Sequence, residues 1–250
     1  MPRLVNVDTI GRRTDGEERR LSEIAASPVD GETETASRPA PRSKKGQRTR
    51  LKLIEAAKEV FERNGFLAAR IVDISETAEV GFGTFYHYFD SKEEIFREVA
   101  SAQEERLIAP PVGQDDYSAT DDVWALTRYA IRTYLERYRD QAALMGVIEQ
   151  VSRYDEHVAA GRAATMEHFA AQWKRNIELL QRDSGCDPRL DPSLAADALR
   201  AMITRLAEMW LVQHYRDYDF DHVVEQLTII AGNAIGLKSG FRHGVRPEHD

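Results

Sequence analysis

One cysteine in 250 residues, Cys186, has nothing to pair with inside the chain. A disulfide framework is therefore excluded, and a reducing compartment, the cytoplasm, is expected. The thiol itself is expected to be an inert small side chain, because reactivity requires a setting that lowers its pKa. No apolar run approaches the ~18 residues of a membrane span, and the opening residues MPRLVNVDTIGRRTDGEERR hold no apolar stretch, so neither a membrane partner nor a secretory leader is expected. Between Asp121 and Gly236 no segment alternates polar and apolar residues as a strand does, and no repeat of fixed period is visible. Nucleophile elbow, phosphate loop and clustered carboxylate pair are all missing. His157 and His168 lie eleven positions apart without a third ligand nearby. Hence no enzyme, cofactor or metal site is expected.

Acidic residues outnumber basic ones, 42 against 34, for a net charge of −8. Taken globally that disfavours nucleic acid, but the distribution reverses the reading. Residues 1–37 hold five basic and eight acidic side chains, residues 38–70 ten and three, and residues 71–250 nineteen and thirty-one. Positive charge is thus concentrated in one short stretch, and the acidity elsewhere would turn the remaining surface away from DNA.

Beside that stretch lies IVDISETAEVGFGTFYHYFDSKEE, residues 71–94. Ile71, Ile74, Ser75 and Ala78 recur at three and four residues, the spacing of one buried helical stripe. Glu79-Val80-Gly81 breaks the pattern, and a second short helix follows with Phe85 and Phe89 inward at i and i+4. Two helices this short joined by so tight a turn predict a helix-turn-helix. Ser91 and Glu94 have capping-box spacing, with Phe96 and Val99 behind them, and open a helix that Pro110-Pro111 ends. Upstream, Ile54, Ala57, Val60 and Phe61 share a face of a helix from Arg48 to Asn64, closed by Gly65-Phe66. The basic run Arg42-Ser43-Lys44-Lys45-Gly46-Gln47-Arg48 has two readings, a solvated linker or an arm laid on phosphates or in a minor groove.

The order Ile74-x-x-x-Ala78-x-Val80-x-x-Gly83-Thr84-x-Tyr86-x-x-Phe89-x-Ser91-Lys92 resembles the DNA-binding motif of the TetR family of bacterial transcriptional regulators. With the helix before it, the resemblance covers about a fifth of the chain. Ala69 and Arg70 stand where the family usually has threonines, Glu79 where it has a turn glycine, and Gly81 where it has a serine cap. Exchanging a Ser cap for Gly costs only a few tenths of a kcal/mol, so the fold expectation survives. The resemblance implies phosphate contacts from Tyr86, His87 and Lys92, with Arg70 as a substitute for the missing hydroxyl. Base reading would fall to Phe82 and Thr84 against thymine methyls and to His87, because Gly81 to Tyr88 contains no Arg, Lys, Asn or Gln. Gly81 and Arg48 complete the expected DNA-binding set.

An all-α fold is therefore expected: a disordered, basic-ended tail over 1–46, a helix-turn-helix domain with its connecting helix over 47–109, a helical ligand-binding and dimerisation domain over 118–238, and a flexible tail over 239–250. Residues 112–119 are expected as a loop. In the larger domain Trp124, Arg128, Met145, Met166, Phe169, Trp173, Met202 and Arg205 are candidate ligand contacts, with Tyr129 beside them, although each apolar one also suits ordinary core. Arg128 and Arg205 lie on otherwise apolar stripes. Each is either a clamp for an acidic ligand, or an arginine that snorkels at the domain edge or pairs with an acidic neighbour.

Asp191-Pro192 opens a helix with Leu194, Ala198, Met202, Arg205 and Met209 along one face, and a last helix follows. Leu199, Leu206, Trp210, Val223, Leu227, Ile230 and Ala234 are the expected homodimer contacts, through the four-helix interface the resemblance implies. The function so implied is a repressor that binds operator DNA and is released by an acidic or hydrophobic small molecule. The alternative is an all-α acyl- or small-molecule-binding protein without specific DNA binding.

Overall fold

The computed structural model describes residues 43–109 and 122–238. Residues 1–42 of the tail expected over 1–46, the tail over 239–250, Pro110-Pro111 and the loop over 112–119 lie outside the described residues. Every element among the described residues is helical. None of these helices is long and apolar enough to cross a membrane, and no group of three or more His, Cys, Asp or Glu among them could hold a metal ion.

Helix α1 runs Lys44–Ala68, earlier than the start expected at Arg48. The cause is local: the Ser43 hydroxyl accepts from the Gly46 amide at 3.0 Å and caps the first turn. Residues 44–48 are consequently helix rather than arm. Gly65 sits at φ 70°, the left-handed stop expected there, and bends the chain before Phe66. Helix α2 spans Ile71–Thr77 and buries Ile74 and Ser75. In the turn that follows, Glu79 takes φ 54°, a conformation that favours glycine and costs a side-chain-bearing residue about 1–2 kcal/mol. Helix α3, Phe82–Tyr88, starts at Gly81 with no side-chain cap and turns Phe85 fully inward.

Helix α4 spans Lys92–Ile108. Ser91 Oγ accepts from the Glu94 amide at 3.1 Å, and Glu94 Oε2 accepts from the Asp90 amide at 2.5 Å, so the capping box closes one residue earlier than the usual pattern. Phe61, Phe66 and Phe96 meet at centroid distances of 4.9 to 5.8 Å and form the aromatic centre of this bundle.

Helices α5 (Val123–Arg139), α6 (Ala142–Val151), α7 (Glu156–Arg182), α8 (Pro192–Ala207) and α9 (Phe220–Ala234) complete the fold, with a π-turn over Glu208–Val212 after α8. The Asp191 carboxylate caps α8 at the Leu194 amide, 2.7 Å, with proline at the first position as expected. Helix α6 packs on α1 and α4 packs along α7. Arg97 of α4 donates to Asp155 at 3.0 Å, and the same carboxylate caps α7 at Val158. Helix α9 lies on α5 at a position where Gly232 is required, since a Cβ there would fall within 2.4 Å of the Trp124 ring. Cys186 is buried, and burial pushes its thiol pKa up.

Helix α8 turns inward a face that neighbours the stripe of Leu194, Ala198, Met202, Arg205 and Met209. Ala196, Leu199, Ile203 and Ala207 are buried, whereas Leu194 is 71% exposed and Ala198 and Arg205 point to solvent. Apolar residues populate more than one face of this helix, so period alone could not choose between them.

Candidate DNA-binding surface and ligand cavity

The outer face of α3 carries Phe82, 52% exposed, with its ring edge-on to Tyr86 at 5.3 Å. His87 is exposed beside them and Thr84 is half-buried, near the uncapped start at Gly81. Phe85 and Phe89 anchor the helix from below. Lys44, Lys45 and Arg48 are exposed on the first turns of α1. Arg70 begins α2, and its guanidinium makes a two-point pair with Asp73 at 2.9 and 2.5 Å. That pair is solvent-exposed and weak, so it can open toward a phosphate.

Lys92 is placed otherwise than the resemblance implied. Its ammonium donates to the carbonyl oxygens of Phe66 at 2.8 Å and Ala69 at 3.1 Å and lies 4.6 Å from the centroid of the Phe66 ring. The physical reason is that the end of α1 leaves carbonyls without helical partners, and a cation reaching back from α4 satisfies them. In this structure the Lys92 charge holds α1 against α4.

In the larger helical unit, a cavity of about 480 Å³ opens between α4, α5, α7 and α8. Aromatic rings from α5 (Tyr129, Tyr134) and α7 (Phe169, Trp173) form much of its wall, with Ile131 and Ile203 filling between them. Its polar groups are Thr133, Arg137, His168, Gln172, Arg200 and Thr204. Nitrogen atoms of Gln172 and His168 approach to 2.8 Å. Of the candidate ligand contacts, Phe169 and Trp173 line this cavity, as does Tyr129 beside them, and the others do not. Trp124 packs on Gly232 and donates its ring N–H to the Lys238 carbonyl at 3.3 Å. Met145 is fully buried in core, Met166 is half-buried and Met202 packs against the core. Arg128 pairs with Glu225 at 3.0 Å and Arg205 with Glu208 at 2.7 Å, the acidic-neighbour arrangement, and neither arginine lines this cavity.

Beside the cavity lies a buried polar cluster. Arg162 of α7 pairs with Glu149 at 2.8 Å and approaches Glu104 of α4 at 3.6 Å, too long for a hydrogen bond. Burial, opposed by the Thr165 hydroxyl and the Arg162 charge, raises the Glu104 pKa above the usual carboxylate range. Burial likewise pushes Tyr138 up to about 12 and raises Tyr134 further. The pattern of α4 could have announced this cluster, because Gln103 and Glu104 fall on the same stripe as Phe96, Val99, Ala100 and Leu107.

The expected dimer contacts divide in two. Leu199, Val223 and Leu227 are buried in their own protomer, and Trp210 packs on Phe220 at 5.9 Å. Leu206 is half-buried. Ile230, 47% exposed, and Ala234 face outward, with Leu194, Ala198, Ala201 and Ile229 also exposed on α8 and α9.

Fold and surface define the class: an all-α helix-turn-helix protein with a cavity-bearing helical unit behind its reading head. Residues 53–99 match the family described as "Bacterial regulatory proteins, tetR family". Over those residues, about a fifth of its length, the chain is similar to the DNA-binding region of TetR-family regulators. It is 36% identical over 63 residues to the HTH-type transcriptional regulator UidR of Escherichia coli, covering 25% of this chain and 32% of that one. The match therefore spans about a third of that relative's length. Similarity to the HTH-type transcriptional regulator YdgC of Bacillus subtilis extends over 178 residues at 26% identity, 69% of this chain and 86% of the relative. A crystal structure of FadR from Bacillus subtilis in complex with stearoyl-CoA superposes with a TM-score of 0.59 at 17% identity, over 74% of this chain and 98% of that one.

Proposed function

We propose that this chain is a DNA-binding transcriptional regulator, a repressor that acts as a homodimer and leaves its operator when a small molecule enters the cavity between α4, α5, α7 and α8. The observation that carries the reading is the outward aromatic pair Phe82 and Tyr86 on α3, flanked by the exposed cations at the start of α1. A phenylalanine half in water on the second helix of a helix-turn-helix is an apolar contact waiting for a thymine methyl or sugar. Residues 47–109 then serve as the DNA-binding domain with its connecting helix, and 118–238 as the ligand-binding and dimerisation domain.

Dimerisation is assigned to the outward stripe of α8 and α9, where Leu194, Ala198, Ile229, Ile230 and Ala234 leave apolar surface uncovered. Two-fold pairing sets two reading heads a fixed distance apart, matched to half-sites about 34–36 Å apart or a multiple. Helix α4 touches both the reading head and α7, so a ligand that shifts α4 changes that distance.

Fluorescence anisotropy of a labelled duplex, titrated at several salt concentrations, tests the reading. Affinity should fall steeply and linearly on a log-log plot as phosphate contacts release counterions. Absence of binding at low salt would leave the small-molecule-binding alternative standing in its place.

A further inference from the structure

The cavity wall carries a charge opposite to that of the chain. In a protein with net charge −8, two arginines and a histidine line the cavity and no described carboxylate does. Arg200 has only one described carboxylate near it, Asp197 at 3.7 Å, and that pair is too long for a hydrogen bond. Tyr134 lines the same space, and its buried hydroxyl has no hydrogen-bond partner among the described residues. A donor left unmade in a buried wall is satisfied most simply by an acceptor on whatever occupies the cavity.

Arg137 joins this wall to α4. Its Nη1 donates to the carbonyl oxygens of Leu107 at 3.1 Å and Ala109 at 2.5 Å, the exposed negative end of α4.

We propose that the cavity takes an organic anion with a flat apolar body, its charged end held by Arg200, Arg137 and the Tyr134 hydroxyl, and that this anion loosens the last turn of α4 by competing for Arg137. The inference rests on the reading of this cavity as the effector site. Aromatic walls of Tyr129, Phe169 and Trp173 accept a flat body face-on or edge-on. A carboxylate or sulfonate brought to a guanidinium adds an opposite full charge and a two-point geometry that the neutral carbonyls do not offer. The same anion is repelled by the negative end of α4, so both effects weaken the hold of Arg137 on that helix.

The test uses 1-anilinonaphthalene-8-sulfonate and its neutral counterpart N-phenyl-1-naphthylamine, both fluorescent in apolar surroundings, on the full chain. The sulfonate should bind one site per protomer at least about tenfold tighter than the neutral probe. Arg200→Gln should lose most of that preference while the neutral probe binds as before. Thr133→Phe, which fills the cavity, should abolish both. Hydrogen exchange at the amides of residues 104–109 should speed up with the sulfonate and stay unchanged with the neutral probe. In Arg137→Gln exchange should already be fast and insensitive to either.

Equal binding of the two probes in the wild type, or an unchanged preference in Arg200→Gln, overturns the anion assignment while the effector site stands. Exchange at 104–109 that ignores bound sulfonate overturns the link to α4. Should both probes bind Thr133→Phe as well as wild type, the cavity is not their site and the effector-site reading itself fails.

Discussion

The Lys92 ammonium donates to the Phe66 carbonyl at 2.8 Å across 26 residues of sequence and lies above the ring of that same residue. One side chain thus closes the end of α1 and fastens it to the start of α4. Replacing it with methionine keeps the length and removes the charge. Lys92→Met should destabilise the protein by about 1.5–3 kcal/mol, the range for hydrogen bonds to a charged group. Urea denaturation followed by circular dichroism measures it, and a midpoint unmoved from wild type would return Lys92 to the phosphate role.

Phe82 makes the opposite prediction. Because it is half exposed, Phe82→Ala should change stability by less than about 0.5 kcal/mol. If its ring meets a base edge, operator affinity should fall by about 1–3 kcal/mol with little change on random duplex. Equal losses on the two DNAs would make Phe82 a positioning contact and leave His87 as the direct reader.

The last two helices separate surface from core within a few residues. Ile230→Glu and Leu194→Glu place charge on exposed positions and should give folded monomers with weakened DNA binding. Leu227→Glu, at a position only 2% exposed, should instead unfold the protein, at a cost of several kcal/mol. Light scattering and thermal melts distinguish the outcomes, and dimers persisting in both surface variants would move the interface elsewhere.

Glu104 supplies a pH signature. Burial raises its folded pKa above the unfolded value, so the folded state binds the proton more tightly. Its contribution therefore favours folding at low pH and is lost as pH rises from the ordinary carboxylate range through the raised value. Glu104→Gln should abolish that decline, leaving a flatter profile of melting temperature against pH than the wild type over this window. Parallel profiles for the two proteins would show that Arg162 holds the carboxylate ionised in the fold.

The parts of this fold legible in the sequence are those fixed by neighbours. Stripes at three and four residues located α2 to α4, Gly65 and Asp191-Pro192 marked a stop and a start, and the caps at Ser91 and Asp191 lay where expected. Contacts between distant residues were not legible. Nothing within a turn of Lys92 reveals the carbonyls 23 to 26 positions away that its ammonium meets. Which face of α8 turns inward is not legible, because two of its faces are apolar. Tyr134, Arg137 and Arg200 went unnoticed as cavity residues because only the packing of α5, α7 and α8 brings them together. Gln103 and Glu104 differ, because their place on an apolar stripe is legible in the sequence itself.

The central claim, a two-headed protein that reads a symmetric DNA site, is tested most directly by selection from a random duplex library. Purified full-length protein captures duplexes at physiological salt over several rounds, and the bound pool is sequenced. The expected result is enrichment of one two-fold symmetric sequence, its half-sites separated by one helical turn or a multiple, and loss of that enrichment in Phe82→Ala. A pool that stays random after selection, or one enriched for a site with no symmetry, would contradict it.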